Sequence, residues 1–154
     1  MADILMLEPD AVLARIYRQA LETAGHTIRR SVSAQDGIFQ VDTRRPDIVI
    51  VELQLVAHSG IEFLYELRSY SEWQKIPVLI HSCIPPIEFE DSQQLLKEML
   101  RVHAYLYKPQ TTLQSLLRAV REATGADEIA RSQKIADTDT AAMLRTLTPR
   151  PQNT

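Results

Sequence analysis

The stretch Pro46-Asp47-Ile48-Val49-Ile50-Val51-Glu52-Leu53-Gln54-Leu55, closed by Ser59-Gly60, decides how this chain folds. Ile48-Val49-Ile50-Val51 is an unbroken apolar run with no polar alternation, the pattern of a strand buried on both faces in a parallel sheet. Arg44-Arg45 and Pro46 end the helical pattern that precedes it. Glu52 puts a carboxylate at the end of the buried run.

Working outward from this strand, apolar runs and helical periodicities alternate along the chain. Ile4-Leu5-Met6-Leu7 reads as strand one. Val12, Leu13, Ile16, Tyr17, Ala20 and Leu21 recur at helical spacing, with Asp10 as N-cap and Gly25 as terminator. Thr27 to Val32 is a second, less apolar strand, and Ser33 with Asp36 reads as a capping box opening the next helix. Beyond the central strand, Ile61, Phe63, Leu64 and Leu67 mark a third helix. Pro77-Val78-Leu79-Ile80-His81 is strand four, and Pro85-Pro86 forces a loop. Leu95, Leu96, Met99 and Leu100 predict a fourth helix, Ala104-Tyr105-Leu106-Tyr107 a fifth strand, and Leu113, Leu116, Leu117 and Val120 a fifth helix ending before Gly125. Such alternation predicts an α/β fold, a doubly wound five-stranded parallel sheet of flavodoxin-like order 2-1-3-4-5 with helices on both faces. Ligands of these sheets gather at the carboxyl ends of the strands, so the loops to read begin at Glu8, Glu52, Ser82 and Lys108.

The chain has 154 residues, 45% apolar and 24% charged, the balance of an ordinary globular domain. A net charge of −3 advertises no basic surface for nucleic acid. The lone Cys83 excludes an internal disulfide framework and suits a reducing compartment. No apolar run approaches the roughly 20 residues of a membrane span, and Met1-Ala2-Asp3 leads straight into strand one without a basic leader. The expected location is cytoplasmic, without membrane or nucleic-acid partners.

Residues 3 to 124 resemble the receiver domains of response regulators in two-component signalling, and four matches in order carry the resemblance. Leu7-Glu8-Pro9-Asp10 stands where that family places an acidic pair for Mg²⁺. Glu52 stands at the phosphoacceptor position, where the family carries aspartate. Ile76-Pro77-Val78-Leu79-Ile80-His81-Ser82-Cys83 matches the fourth strand, with Ser82 at the switch hydroxyl. Tyr105-Leu106-Tyr107-Lys108-Pro109 matches the fifth, with Tyr105 at the switch aromatic and Lys108 at the phosphate-site lysine. Each fragment alone is a weak signal, and their order and spacing make the set strong.

What the resemblance implies is altered at its acidic end. Phosphoryl transfer needs a small carboxylate in line with phosphorus, a cation with near-octahedral oxygen ligands and a lysine on the phosphoryl oxygens. Glu52 pushes its carboxylate out by about 1.3 Å relative to aspartate, where positioning matters at the ångström level. Pro9 offers no side-chain ligand, so Glu8 and Asp10 imply weak Mg²⁺ binding at best, and no cofactor is required. The expectation is a divergent pseudo-receiver in which Glu52 reaches Lys108 and Ser82 directly. The opposing reading makes Glu52 a solvated acid at a strand end. Tyr105 reads equally as a switch side chain or a half-buried strand aromatic. His58, His81 and Cys83 lack paired zinc spacing, and His81 alternates with Ser82 onto the opposite sheet face. Trp73, in a polar loop, reads as a surface cover.

Residues 1–124 are thus expected to form the receiver and 125–154, Thr-rich and closing on Pro149-Arg150-Pro151, a partly helical or disordered tail. No catalytic output motif appears, and the expected function is that of a stand-alone, non-enzymatic receiver acting by protein–protein contact. Its partners are then a histidine kinase, a downstream effector or a second copy. The surface for them is the face of helix four, strand five and helix five, about Asp91 to Thr124, with Tyr105, Tyr107, Arg101, Arg118 and Arg121 beside Glu98 and Glu122. A conventional phosphorylatable regulator is the alternative, with Asp47 the nearest other acid, at the opposite end of strand three. An α/β enzyme is a more distant one, lacking a Gly-rich loop after strand one and a G-x-S-x-G elbow.

Overall fold

A computed structural model describes residues 1–125. Strands β1 (Asp3–Leu7), β2 (Thr27–Ser31), β3 (Ile48–Val51), β4 (Val78–Ser82) and β5 (Val102–Tyr107) form one parallel sheet in the order β2-β1-β3-β4-β5. The strand–helix alternation predicts this order. Helices α1 (Ala11–Thr23), α2 (Ala34–Thr43) and α3 (Gly60–Ser69) are joined by a final helix over residues 113–125. No helix among the described residues is long and apolar enough to cross a membrane.

Strand alternation sorts the core into two layers. Leu5, Leu7, Val49, Val51, Val78 and Ile80 pack with Phe63, Leu64, Leu67, Trp73 and Leu96 on one face. Ile4, Met6, Ile48, Ile50 and Leu79 pack with Ala14 and Leu21 of α1 and Leu116 and Val120 of the final helix on the other. Both faces of β1 and β3 are therefore covered, which explains their unbroken apolar runs. Phe63 has no exposed surface, and its truncation to alanine is worth about 3–5 kcal/mol. Because the chain leaves β1 toward β2 on one side and returns to β3 on the other, the loops after β1 and β3 diverge. That divergence opens a crevice at the carboxyl ends of the strands.

Local chemistry sets the helix ends. Asp10 Oδ1 accepts from the amides of Val12 (2.9 Å) and Leu13 (3.0 Å), capping α1 as its position predicts. Gly25, at φ 97°, turns the chain away from α1. Ser33 accepts from the Asp36 amide at 3.1 Å, one half of the expected capping box. The complete box stands instead at α3, where Ser59 and Glu62 bond reciprocally. Glutamate reaches back to the cap amide as this motif requires.

Three expectations are corrected. The predicted fourth helix, marked by Leu95, Leu96, Met99 and Leu100, is a π-helical turn, Leu95–Met99, and the loop expected from Pro85-Pro86 carries a 3-10 segment, Pro86–Ser92, with non-helical backbone at Phe89. Its apolar stripe is incomplete: Leu96 and Leu100 are buried, but Met99 is 62% exposed. Arg68 of α3 donates to the carbonyls of Leu100 and Arg101 (2.8 and 3.3 Å), and Arg101 takes a left-handed φ of 51°. Trp73 is buried rather than a surface cover, because a 3-10 turn over Ser71–Trp73 folds its ring under α3 against Tyr70. The final helix continues through Gly125. The tail expected beyond that glycine lies outside the described residues.

Candidate functional site

Four side chains meet at the carboxyl edge of the sheet. Glu8 follows β1, Glu52 follows β3, Ser82 ends β4 and Lys108 follows β5. Backbone bonds fix the two acids: the Glu8 amide donates to the Ser31 carbonyl (2.9 Å) and the Glu52 amide to that of Leu7 (3.0 Å). Gly60 closes the loop after Glu52, donating to the Leu53 carbonyl at 2.8 Å. A Cβ at Gly60 would lie 2.6 Å from the Glu52 carbonyl oxygen, so only glycine allows α3 to start this close to the site.

The Lys108 ammonium sits between the two acids. It is bonded to Glu8 Oε1 and lies 2.6 Å from Glu52 Oε2. Ser82 donates its hydroxyl to Glu52 Oε1, which also accepts the Gln54 amide at 3.2 Å. Glu52 Oε2 accepts the Cys83 amide at 3.3 Å, and Glu8 Oε2 that of Asp10 at 3.2 Å. The side chains of Lys108, Glu8 and Glu52 are only 8%, 3% and 5% exposed. Burial pushes the Glu52 carboxyl up, but donors from Lys108 and Ser82, the lysine charge and the Gln54 amide together hold it below the usual carboxylate range. Burial likewise pushes Lys108 down, and its bonds to Glu52 and Glu8 outweigh that and hold it above the ordinary lysine value. The pair is therefore charged at neutral pH. The opposing expectation, a solvated Glu52, does not match this burial.

A hydrogen-bonded path leads away from the site. Ser82 Oγ accepts the Ile84 amide at 3.1 Å, and the Tyr105 hydroxyl donates to the Ile84 carbonyl at 2.5 Å. Burial pushes the Tyr105 phenol up to about 12, so it remains a donor. Its ring lies on Phe89, in a groove that Leu96, Lys97, Val102 and His103 also line.

The other candidates are placed apart from this cluster. Asp10 spends its carboxylate on the α1 cap. His81 points to the opposite sheet face and meets Tyr17 edge-on, at 4.8 Å between centroids. Burial, with Lys108 adding to it, pushes His81 down to about 4. His58 pairs with Glu62 at 3.2 Å, and Cys83 is exposed. Asp47 accepts the Asp3 amide at 2.7 Å, at the far end of the sheet.

The Mg²⁺ ion that the resemblance implies wants near-octahedral oxygen ligands, and the residues as arranged do not fit it. An ammonium stands between the two carboxylates, Asp10 is turned to its helix, and Pro9 has no side-chain ligand. Arg30 of β2 takes the Glu8 and Pro9 carbonyls, at 2.9 and 3.0 Å. Among the described residues no three His, Cys, Asp or Glu side chains gather as a metal site. Sequence reasoning missed Arg30, and it missed Glu8 as a partner of Lys108. The signal for Arg30 was its place in a weakly apolar edge strand beside the β1 loop.

The sequence profile of the response regulator receiver domain matches residues 4–121. The KDP operon transcriptional regulatory protein KdpE of Escherichia coli (strain K12) is 29% identical over 137 residues, covering 85% of this chain and 58% of that protein. The chain thus spans little more than half the length of that relative. The crystal structure of a sensor protein from Polaromonas sp. JS666 superposes with a TM-score of 0.72 at 25% identity, covering 80% of this chain and 96% of that one. The Vibrio cholerae chemotaxis protein CheY4, at 18% identity, shares the fold, with a TM-score of 0.70 over 80% of this chain and 98% of its own. A profile that runs from β1 into the final helix, on a sheet of this order, leaves one conclusion: the chain belongs to the family of response regulator receiver domains.

Proposed function

We propose that this receiver signals by binding other proteins and does not cycle through an acyl phosphate at Glu52. One observation carries the reading. The Glu52 carboxylate already accepts from Ser82, Gln54, Cys83 and Lys108, and a carboxylate offers about four lone-pair sites. A nucleophile needs one of them aimed at phosphorus, and the groups that would steady an arriving phosphoryl, Lys108 and Ser82, are the ones that hold Glu52. The glutamate supplies permanently part of the negative charge that phosphorylation would bring, with fewer oxygens. The expected partners are a histidine kinase or a downstream effector. Incubation with acetyl phosphate and Mg²⁺ should leave the intact mass unchanged, and a stoichiometric phosphate adduct mapped to Glu52 would overturn the proposal.

The surface for partners is proposed to be the face of about residues 91–124. Arg101, Arg118 and Arg121 are exposed there, with Tyr105 and Tyr107 partly so, a mixture that interfaces favour at their anchors. Self-association through this face predicts that Arg118→Glu with Arg121→Glu lowers the mass measured by light scattering. An unchanged oligomeric mass would remove the face from consideration.

A further inference from the structure

We infer that the free edge of β5 is a peptide-binding site, which takes one extended segment of a partner protein as a further strand of the sheet. This names the kind of partner for the face of residues 91–124 and rests on that reading. The observation is a contrast between the two edges of the sheet. β2, at one edge, carries Arg29 and Arg30, and charged side chains are one way natural edge strands discourage pairing. β5, at the other, is the longest strand, Val-His-Ala-Tyr-Leu-Tyr, and has no lysine, arginine, acid or proline. Every residue of β4 is buried, and none of β5 is. Over residues 102–106, the main-chain groups turned away from β4 have no hydrogen-bond partner among the described residues.

Beside that edge lies a recess of about 210 Å³. Its lining takes in Val102, His103, Ala104 and Tyr105 in succession. Side chains alternate along a strand, so a recess that meets four successive residues follows the strand's edge rather than one face of the sheet. Phe89 and Leu96 give it an apolar wall, and Tyr105 is fixed there by its bond to the Ile84 carbonyl. A cavity of about 150 Å³ holds a benzene ring, so this one seats a single aromatic or branched side chain. Among the described residues that line it, Lys97 brings a positive charge and there is no carboxylate. A peptide acid beside the anchor therefore complements it. These features select the occupant. An extended segment offers the edge free amides and carbonyls on alternate residues, and offers the recess a side chain. A helix uses its main-chain groups internally and has none to give the edge.

The test starts from a library of random short peptides displayed on phage and selected on the full chain. Selected sequences should be rich in β-branched and aromatic residues, with an acid near an aromatic anchor. The strongest peptide is then synthesised unmodified and with N-methyl groups on either alternate set of its amides. Only one alternate set of a strand's amides faces its neighbour. One methylated form should therefore lose roughly tenfold or more in affinity while the other keeps it. The unmodified peptide should slow hydrogen exchange at the β5 amides that face away from β4. Lys97→Glu should weaken binding several-fold, and more at low salt than at high. A selection that returns no binder would overturn the inference, as would two methylated forms that bind alike, or protection that falls on residues 113–125 instead of β5. Peptides of that last kind, lost in Arg118→Glu with Arg121→Glu, would leave the partner face standing and remove only its β5 edge. A dimeric wild type whose β5 amides exchange faster on dilution to monomer would assign the edge to a second copy, and would likewise overturn the inference.

Discussion

At the amino end of the sheet, Asp3 accepts from two arginines, Arg29 at 3.3 Å and Arg44 at 3.0 Å, whose side chains are 16% and 59% exposed. At the carboxyl end the stoichiometry is inverted. One lysine stands between two acids, and all three side chains are 8% exposed or less. The first cluster is wetted and screened, so losing a member leaves its partners to water. In the second, every charge depends on the others, because none has water to fall back on. The fold tolerates such a cluster because the strand ends and the Gly60 turn hold its members in place. The difference marks the carboxyl end as the place where this molecule concentrates electrostatic risk.

The sharpest way to break the comparison is Lys108→Met. It leaves two buried carboxylates without a cation and should cost about 3–5 kcal/mol of unfolding free energy, read by urea denaturation at neutral pH without divalent ions. A loss below about 1 kcal/mol, the value of an exposed pair, would erase the contrast between the two ends.

Acid should act next most strongly, through His81, which is 4% exposed on β4 beside the site. Its folded-state value of about 4 lies below the ordinary 6.5, so the unfolded chain takes up the proton first. The stability it contributes is complete above about pH 6.5 and is lost as pH falls toward 4, a change of about 3 kcal/mol. Glu52, also depressed, adds a loss of the same sign below the ordinary carboxylate range. Urea midpoints across pH 7 to 4 measure the slope, and His81→Phe should flatten the upper part of it. A wild-type stability that does not change over this window would contradict the assignment.

The smallest effect belongs to the amino end. Arg44→Ala should change stability by less than about 1 kcal/mol, and salt should shrink the difference further. A loss as large as that of Lys108→Met would mean that exposure does not separate the two clusters.

Much of this was legible in the sequence, for identifiable reasons. Ile48-Val49-Ile50-Val51 announces a strand covered on both faces, and Asp10, Gly25 and Pro46 punctuate the helices by local chemistry that tertiary packing does not override. The meeting of Glu52 with Ser82 and Lys108 follows once strand order is known, because all three stand at the same sheet edge. What stayed hidden depends on partners distant along the chain. Residues 95–100 have the leucines of a helix but fold as a π turn, and the Leu100 carbonyl at its end accepts from a buried arginine 32 residues away. Trp73 sits among polar neighbours, yet packs under α3. Glu8 reads as a cation ligand from its position alone, and its bond to Lys108, 100 residues away, appears only in three dimensions.

The most direct test of the central claim is a double-mutant cycle with Glu52→Gln and Lys108→Met, read as unfolding free energy. If the site is one closed, pre-satisfied unit, the double variant will lose less stability than the sum of the singles, with an interaction energy of about 1–3 kcal/mol. Once Glu52 is neutral, removing Lys108 leaves one buried charge rather than two. Additivity within about 0.5 kcal/mol would contradict the account and return Glu52 to the standing of a solvated acid at a strand end.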